Sequence, residues 1–347
     1  MNPSDPLVVH VAYEPLRDVI DRRRLAAIRA DVDVRTVPYD LSHAEHTRRS
    51  ANPYAPDLAA GEVHLSDELR DALGAAEVML TLNAPLDLPA LAPRLRWIQA
   101  IGSGVGQFVP SRLPDGGITL TNAAGVGAAP IAEWVLARIL AVYKRLDDHA
   151  AQQRAHVWQE AMGALLEGRT AVIVGMGAIG TAVASRLRAF GVHVIGVRRT
   201  PGAGAPEADE IVGPDQLHAV LGRAHIVVVA APGTAANENM FDAAAFAVMR
   251  RGTLFLNAAR GLLVDEAALM DALRSGHLRA AAIDVARAEP LPSDSPLWDT
   301  PNLAISPHSS ASAERYLERV GELFYDNLAR YVAGRALRNV VDLTHGY

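Results

Sequence analysis

A glycine-rich turn is the first part of this sequence whose residue types and spacing could do chemistry. The apolar run Thr170–Val174 leads directly into Gly175-Met176-Gly177-Ala178-Ile179-Gly180, and a helical pattern follows to Phe190. Between a strand and a helix, the first glycine permits a tight turn, the second admits a pyrophosphate, and the third lets the helix pack closely on the strand. Amide groups at the helix N-terminus are then free to bind phosphate. The pattern alone is often a chance loop, but this context predicts a dinucleotide site.

The next strand-like run ends in a basic turn, Arg198-Arg199-Thr200, about 20 residues after the glycines. At this position NAD-specific sites carry a carboxylate that binds the ribose hydroxyls. No acidic residue is present there. Guanidinium groups bind phosphate oxygens in a bidentate way and stay charged, so they would suit the 2′-phosphate of NADP. The alternative is a solvated basic turn. We predict that NADP(H) is preferred and that NAD(H) is possible.

Composition excludes several other classes of function. The net charge is −6 and the longest basic run is Arg22–Arg24, which argues against nucleic-acid binding. Lys144 is the single lysine, so a Walker-type phosphate loop is excluded, and cysteine is absent, so thiolate metal sites and cysteine nucleophiles are excluded as well. Since no run of about 18 apolar residues occurs, we expect no membrane span and a cytoplasmic location.

Short β-branched runs alternate with amphipathic stretches along most of the chain, which indicates βαβ units and parallel sheets. The first series comprises Leu7–Tyr13, Val32–Val37, Val78–Leu82, Leu95–Ile101 and Ile118–Thr121. The second comprises Thr170–Val174, His193–Arg198, Ile226–Ala231, Thr253–Ala258, Ala281–Ala286 and Leu303–Ser306. Six runs in the second series match a doubly wound sheet of the nucleotide-binding type.

The resulting fold class is α/β with two doubly wound parallel-sheet domains. We expect a Rossmann-type, dinucleotide-binding domain at residues 123–310 and a flavodoxin-like, discontinuous substrate domain at residues 1–122 and 311–347. The C-terminal amphipathic helix, with Leu317, Phe324 and Tyr331 on one face, would complete the first domain. A second helix, from Pro130 to about Arg145, is apolar on all sides, and such a helix is buried between domains or between subunits. It favours a homodimer.

Three further motifs accompany the glycine turn. They are Leu256-Asn-Ala-Ala-Arg260-Gly261 followed by Val264-Asp265-Glu266, Asp284-Val285 followed by Glu289-Pro290-Leu291-Pro292, and Ser306-Pro307-His308-Ser309-Ser310-Ala311. In order and spacing the chain resembles the D-isomer-specific 2-hydroxyacid dehydrogenase family over nearly its whole length. The resemblance implies a catalytic trio of Arg260, Glu289 and His308.

These residue types suit the reduction of a 2-keto acid to a 2-hydroxy acid. Arg260 would hold the substrate carboxylate in its planar fork and polarise the carbonyl. His308 would donate the proton, because histidine exchanges protons near neutral pH. Glu289 would bind the other ring nitrogen, fix the tautomer and favour imidazolium. Each residue alone more often has a structural role, but the three in family order favour catalysis.

The resemblance also implies binding residues. Those expected to contact the cofactor are Gly175, Gly177, Ala178, Ile179, Gly180, Arg198, Arg199, Thr200, Ala231, Ala258, Ala259 and Asp284. Those expected to bind the substrate are Ser103, Gly104, Val105 and Arg260, the first three through backbone amides. A purely structural role for Asp284, and a mere turn at residues 102–106, remain the alternatives. We expect no metal, since His43 and His46 have no third ligand and fit a solvated helix face.

The basic turn and the closing Gly346-Tyr347 are similar to the glyoxylate/hydroxypyruvate reductase branch, which favours a small 2-keto acid. Glutamate at position 289 argues against the formate dehydrogenase branch, where glutamine stands. The expected partner is a small 2-keto or 2-hydroxy acid, without nucleic acid or membrane. A dinucleotide-sensing regulatory protein on the same fold is the alternative function.

Overall fold

The structure is a computed structural model that describes residues 6–51, 58, 64–200, 205–311 and 314–343. The side chain of His43 and the pair Gly346-Tyr347 lie outside the described residues. The chain divides into two compact units, Met1–Val126 with Ala313–Tyr347, and Gly127–Ser312. The assignment of substrate binding to the first unit and dinucleotide binding to the second stays a prediction.

Helices and strands alternate as the hydrophobic pattern predicts. Over the described residues, the strands are β1 (Leu7–Val11), β2 (Val32–Arg35), β3 (Val78–Thr81), β4 (Trp97–Ala100), β5 (Thr119–Thr121), β6 (Thr170–Val174), β7 (His193–Val197), β8 (Glu210–Val212), β9 (Ile226–Val229), β10 (Thr253–Asn257), β11 (Leu278–Ile283) and β12 (Leu303–Ile305). The helices are α1 (Arg22–Ile28), α2 (His43–Ala51), α3 (Asp67–Ala75), α4 (Leu88–Leu91), α5 (Ala128–Tyr143), α6 (Leu146–Arg154), α7 (Ala178–Ala189), α8 (Leu217–Leu221), α9 (Ala243–Val248), α10 (Glu266–Arg274) and α11 (Tyr316–Val332).

The first unit contains a five-stranded parallel sheet in the order β2-β1-β3-β4-β5. This is the flavodoxin-like order, in which ligands bind outside the carboxyl ends of the strands. Every side chain of β1, β3 and β4 is buried, as in a sheet covered on both faces.

The C-terminal helix α11 packs in this first unit, on the face predicted from its pattern. Phe324 is fully buried, and its ring stacks on Trp97 with 5.5 Å between centroids, while the ring of Tyr331 lies 5.6 Å from the same indole. Beyond the helix, Val340 forms an isolated antiparallel bridge with Thr121 at the sheet edge.

The second unit contains a seven-stranded parallel sheet in the order β12-β11-β10-β9-β6-β7-β8. The six strands from β8 to β11 have the doubly wound, nucleotide-binding order, with β6 at the centre. Strand β12 is a seventh strand at the edge next to β11. The predicted fold class is confirmed.

Two details of the second sheet differ from the sequence prediction. The edge strand β8 was missed, because its three residues begin with Glu210 and form no apolar run. Strand β11 starts at Leu278 instead of Ala281, since the exposed Arg279 interrupts the apolar pattern.

Helix α5 buries one face in the core of its own unit, through Ile131, Val135 and Ile139. The helix ends at Tyr143, two residues before the predicted end at Arg145. Arg145 has a left-handed backbone conformation and is the residue that precedes α6. Within the described part of the chain, no helix has the length and apolarity needed to cross a bilayer. The cytoplasmic location stays a prediction.

Candidate active site

The glycine turn after β6 has a backbone that side chains would obstruct. Gly175 has φ +103°, and a Cβ there would lie 2.5 Å from the main-chain nitrogen of Ala231. A Cβ on Gly180 would lie 1.9 Å from the carbonyl oxygen of Gly175. These two glycines therefore let β6, α7 and the segment after β9 approach one another closely.

Gly177 is different, because no atom lies within 4 Å of the position its Cβ would take. It is the N-cap of α7, where amide groups lack partners within the helix. Open space in front of a helix N-terminus fits the pyrophosphate of a dinucleotide. Ala178 and Ile179 form the first turn of that helix.

The basic turn at the end of β7 lies beside the glycine turn. The amide of Gly175 donates a 2.9 Å hydrogen bond to the carbonyl of Val197, the residue before Arg198. Arg198 is half-buried and its amide donates to the carbonyl of Val212 (3.1 Å), whereas Arg199 and Thr200 are exposed. The turn beside the glycine turn therefore contains two arginines and no carboxylate.

His308 and Glu289 form a close pair. Nδ1 of His308 lies 2.7 Å from Oε2 of Glu289, while Oε1 of the same carboxylate accepts the amide hydrogen of Ala286 (3.0 Å). Burial opposes ionisation of Glu289, but the hydrogen bond and charge of His308, the Ala286 amide and the charge of Arg260 together lower the pKa of Glu289. An ionised carboxylate only accepts hydrogen bonds, so the proton of this contact belongs to Nδ1. Nε2 is the ring nitrogen that this contact does not use.

Asp284 holds the turn on which His308 lies. Its buried carboxylate accepts hydrogen bonds from the Ser306 hydroxyl (2.6 Å) and from the amides of Ser309 (2.9 Å) and Ser310 (3.0 Å). Its carbonyl accepts the amide hydrogen of His308 (2.8 Å), whose φ of +50° lies in the left-handed region. The carboxylate therefore stabilises an unfavourable backbone conformation.

This geometry gives Asp284 a structural role, which the sequence analysis had kept as an alternative to cofactor contact. The contact with the cofactor stays a prediction. The serines are positioning residues that sequence reasoning missed. The motif around His308 contained them, but only the folded turn shows which acceptor they share.

Arg260 follows β10 on a bend that Asn257 maintains. The Asn257 side chain donates to the carbonyl of Arg260 (2.9 Å) and accepts from the amide of Ala259 (3.0 Å). Arg260 is half-buried, and its Nη1 donates to the carbonyl of Ala259 (2.6 Å). Burial lowers the pKa of Arg260 and the charge of Glu289 opposes this change, yet a guanidinium stays charged in proteins. Ala258 and Ala259 are both buried in this bend.

The loop of Arg260 packs directly on the loop that leads to Glu289. A Cβ on Gly261 would lie 2.1 Å from the carbonyl of Ala286 and 2.5 Å from the amide nitrogen of Arg287. This backbone contact was also missed, although Gly261 follows Arg260 in the motif. Only glycine permits the two loops to approach so closely.

All predicted site residues of the second unit lie at one edge of its sheet. Arg260, Glu289 and His308 follow β10, β11 and β12, which are neighbours in the sheet. Ala231 follows β9, the glycine turn follows β6 and the basic turn follows β7. The carboxyl edge thus carries an arginine, a carboxylate–imidazole pair and the glycine turn in one row.

The other predicted binding residues lie in the first unit, after β4. The carbonyl of Ser103 accepts a hydrogen bond from the Asn122 side chain (2.9 Å), and the carbonyl of Gly102 accepts one from the amide of Ala123 (2.9 Å). Ser103 is exposed, Gly104 is half-buried and Val105 is buried. The loop is thus anchored by its carbonyls at the carboxyl end of a strand.

His46 does not lie on a solvated helix face, contrary to the sequence prediction. It is half-buried, and its Nδ1 lies 2.7 Å from Oδ1 of Asn83, in the segment that follows β3. The described residues contain no group of three potential ligands that could hold a metal ion.

The two sheets and the row of groups at the second edge define an α/β protein of the doubly wound, nucleotide-binding class. A family model for the D-isomer specific 2-hydroxyacid dehydrogenase, NAD binding domain, matches residues 136–310. This chain belongs to the D-isomer specific 2-hydroxyacid dehydrogenase family.

Curated relatives carry more than one activity. D-3-phosphoglycerate dehydrogenase of Mycobacterium leprae is 33% identical over 286 residues, which are 80% of this chain and 53% of that protein. The chain therefore spans about half the length of the D-3-phosphoglycerate dehydrogenases that it matches. Glyoxylate/hydroxypyruvate reductase B of Serratia proteamaculans is 30% identical over 319 residues, 89% of this chain and 96% of that protein.

A solved structure has the same architecture throughout. The D-isomer specific 2-hydroxyacid dehydrogenase of Xanthobacter autotrophicus, crystallised in complex with NADPH and MES, aligns with a TM-score of 0.78 and 27% identity. The alignment covers 99% of this chain and 100% of that chain.

Proposed function

We propose that this protein is an NADP-dependent oxidoreductase that reduces a small 2-keto acid, such as glyoxylate or hydroxypyruvate, to the 2-hydroxy acid. The observation that carries the proposal is the 2.7 Å contact between His308 and Glu289, next to the loop of Arg260 and at the sheet edge that bears the glycine turn. The similarity to glyoxylate/hydroxypyruvate reductase B over almost the whole of both chains supports it.

The chemistry divides among a few groups. NADPH, when bound, supplies the hydride that reduces the carbonyl carbon. Arg260 binds the substrate carboxylate and polarises the carbonyl. His308 donates the proton that the carbonyl oxygen takes up, and Glu289 keeps Nδ1 protonated and the ring oriented. The family resemblance makes the backbone amides of Ser103, Gly104 and Val105 further candidates for binding the substrate.

The balance of this reaction sets its pH dependence. One 2-keto acid, one NADPH and one proton give the 2-hydroxy acid and NADP+. The proton comes from the imidazolium form of His308, so reduction should slow in alkaline solution, where imidazolium is scarce, whereas oxidation of the hydroxy acid should speed up.

The NADP preference rests on the residues after β7. Arg198 and Arg199 follow β7, whose last carbonyl accepts a hydrogen bond from the glycine turn, and two arginines at this point support binding of a 2′-phosphate. The NADPH bound by the Xanthobacter relative is consistent with this arrangement.

A panel assay tests the function. NADPH oxidation is followed with glyoxylate, hydroxypyruvate, pyruvate and bulkier 2-keto acids, and oxidation of D-3-phosphoglycerate is followed in the reverse direction. We expect turnover with the small keto acids and loss of turnover in His308→Ala, with NADPH binding retained. Cofactor binding without turnover on any substrate would instead favour a dinucleotide-sensing protein. Turnover confined to D-3-phosphoglycerate would overturn the proposed substrate class.

We also propose that the protein forms a twofold homodimer. The segment after α6 exposes four large apolar side chains, with Trp158 fully exposed, Met162 82%, Leu165 64% and Val157 47% exposed. Apolar side chains clustered on a surface in this way usually mark an interface. Solution scattering should give the mass of a dimer, and Trp158→Ser together with Met162→Ser should lower it to that of a monomer. A wild-type monomer would contradict the proposal.

A further inference from the structure

One arginine outside the predicted site joins three of the segments that build it. Arg287 lies between β11 and Glu289, and its side chain is 34% exposed. Its guanidinium donates to Oε1 of Glu238 (3.0 Å), to the side chain of Asn239, and to the carbonyls of Leu262 (3.1 Å) and Val264 (3.3 Å). Its own amide donates to Oε1 of Glu266 (2.7 Å).

Each joined segment contacts a predicted site residue. Residues 262–264 follow Arg260 after Gly261, and the amide of Asn239 donates to the carbonyl of Leu262 (2.9 Å). The segment between β9 and Asn239 passes over Arg260, because a Cβ on Gly233 would lie 3.1 Å from Cβ and Cγ of Arg260. The same segment contains Ala231, whose main-chain nitrogen would lie 2.5 Å from a Cβ on Gly175.

The geometry of the guanidinium suits this position. Its nitrogens point in several fixed directions in one plane, so they bind two carbonyls and two side chains at once. A lysine would keep the charge, but its single ammonium group could not reproduce that fork. Because Arg287 stands two residues before Glu289, the loop bearing the carboxylate is tied to the loop bearing Arg260.

We propose that Arg287 is a positioning residue, which holds the Glu289 loop, the Arg260 loop and the segment after β9 in register for catalysis. The proposal rests on the proposed function, since it assigns Arg287 a part in the same reaction. Glu289 contacts His308 directly, the charge of Arg260 acts on Glu289, and the Asp284 carboxylate accepts the amide hydrogens of the turn after His308. Arg287 acts on these groups through the position of Glu289.

The test compares Arg287→Met and Arg287→Lys with Arg223→Met. Arg223 is a matched control, because it makes a bidentate pair with Glu210 (3.1 and 2.8 Å) elsewhere in the same unit. Small displacements of catalytic groups cost up to about a hundred-fold in rate, so we expect Arg287→Met to lower kcat about ten- to a hundred-fold. In Arg287→Met we also expect the alkaline limb of the pH profile of kcat to move to lower pH. Arg287→Lys should recover only part of the wild-type kcat. Arg223→Met should leave both kcat and the alkaline limb of the pH profile unchanged.

Two outcomes would overturn the proposal. In one, Arg287→Met lowers the melting temperature as Arg223→Met does, yet keeps kcat and the pH profile. In the other, Arg287→Lys restores the wild-type profile in full, which would mean that charge alone matters. If Arg287→Met does not fold, Glu238→Gln replaces it. We then expect a smaller shift of the limb in the same direction, and no shift would count against positioning.

Failure of the proposed function is recognised separately, by a wild-type protein that turns over none of the substrates. Hydrogen exchange then tests Arg287 without catalysis. Amides of residues 233–241 and 286–289 should exchange faster in Arg287→Met than in Arg223→Met. Equal protection in the two variants would show that Arg287 does not hold these segments.

Discussion

The carboxylate of Glu289 bridges His308 and the backbone of its own loop, with one oxygen 2.7 Å from Nδ1 of His308 and the other 3.0 Å from the amide nitrogen of Ala286. The loop therefore aims the carboxylate at the ring before any substrate is present. The lowered pKa of Glu289 keeps it ionised throughout the range in which a histidine titrates.

Glu289→Gln should slow keto-acid reduction by about a hundred-fold near neutral pH, because the amide can accept the Nδ1 proton but cannot stabilise an imidazolium by charge. The alkaline limb of kcat/KM should move to lower pH, since the imidazolium form is lost earlier. The measurement is the pH profile of NADPH oxidation. Glu210→Gln, which breaks only the pair with Arg223, is the control and should match the wild type. An unchanged limb in Glu289→Gln would remove the carboxylate from the mechanism.

Two glycines of the turn, Gly177 and Gly180, should respond differently to alanine. Gly180→Ala places a methyl group 1.9 Å from the Gly175 carbonyl, so we expect it to destabilise the protein by about 3 kcal/mol. Gly177→Ala meets no atom within 4 Å and should leave the melting temperature nearly unchanged. It should still weaken NADPH binding at least about ten-fold, or about 1.4 kcal/mol, because the methyl group enters the pyrophosphate position. Thermal unfolding and NADPH titration separate the two effects. Unimpaired NADPH binding by Gly177→Ala would place the cofactor elsewhere.

Arg198→Ala should lower kcat/KM for NADPH about ten- to a hundred-fold and leave that for NADH nearly unchanged, because a charge-assisted hydrogen bond to the 2′-phosphate contributes about 1.5–3 kcal/mol. Both cofactors are assayed at one ionic strength, since salt screens such contacts. Arg223→Ala serves as the control for loss of one positive charge. Equal losses with both cofactors would show that Arg198 does not distinguish them.

Tyr331→Phe tests how the first unit is stabilised. The Tyr331 hydroxyl donates to Oε1 of Glu77 (2.7 Å), and burial together with this bond raises the pKa of Tyr331. Its loss should cost about 1–2 kcal/mol of the free energy of unfolding, because the acceptor is a carboxylate. The folded state keeps the phenolic proton above about pH 10, where the unfolded chain loses it. The contribution is therefore complete below that pH and declines as the pH rises further.

Urea unfolding below and above about pH 10 measures this dependence. The difference in stability between the wild type and Tyr331→Phe should narrow in alkali. Tyr316→Phe is the comparison, since that hydroxyl donates to a neutral carbonyl, Ile101 (2.9 Å), and should cost less. A difference between wild type and Tyr331→Phe that does not vary with pH would contradict the raised pKa.

Elements with a strong local pattern were predictable. Strand β6 has the predicted bounds, Thr170–Val174, because a fully apolar run meets a glycine that must turn. Strand β8 was missed because its pairing with β7 stabilises it, whereas its composition is ordinary. His46 was misplaced for a similar reason, since its partner Asn83 is distant in the chain. Contacts between distant residues leave no local pattern.

Residue types and spacing were enough to indicate a dinucleotide turn and a basic turn, and the family resemblance indicated three groups suited to keto-acid reduction. Only the tertiary structure decided that Arg260, Glu289 and His308 follow three neighbouring strands, and that Asp284, Gly261 and Arg287 hold their loops. The physical reason is that periodicity reports the burial of each strand, while the order of strands in a sheet depends on how distant segments pack.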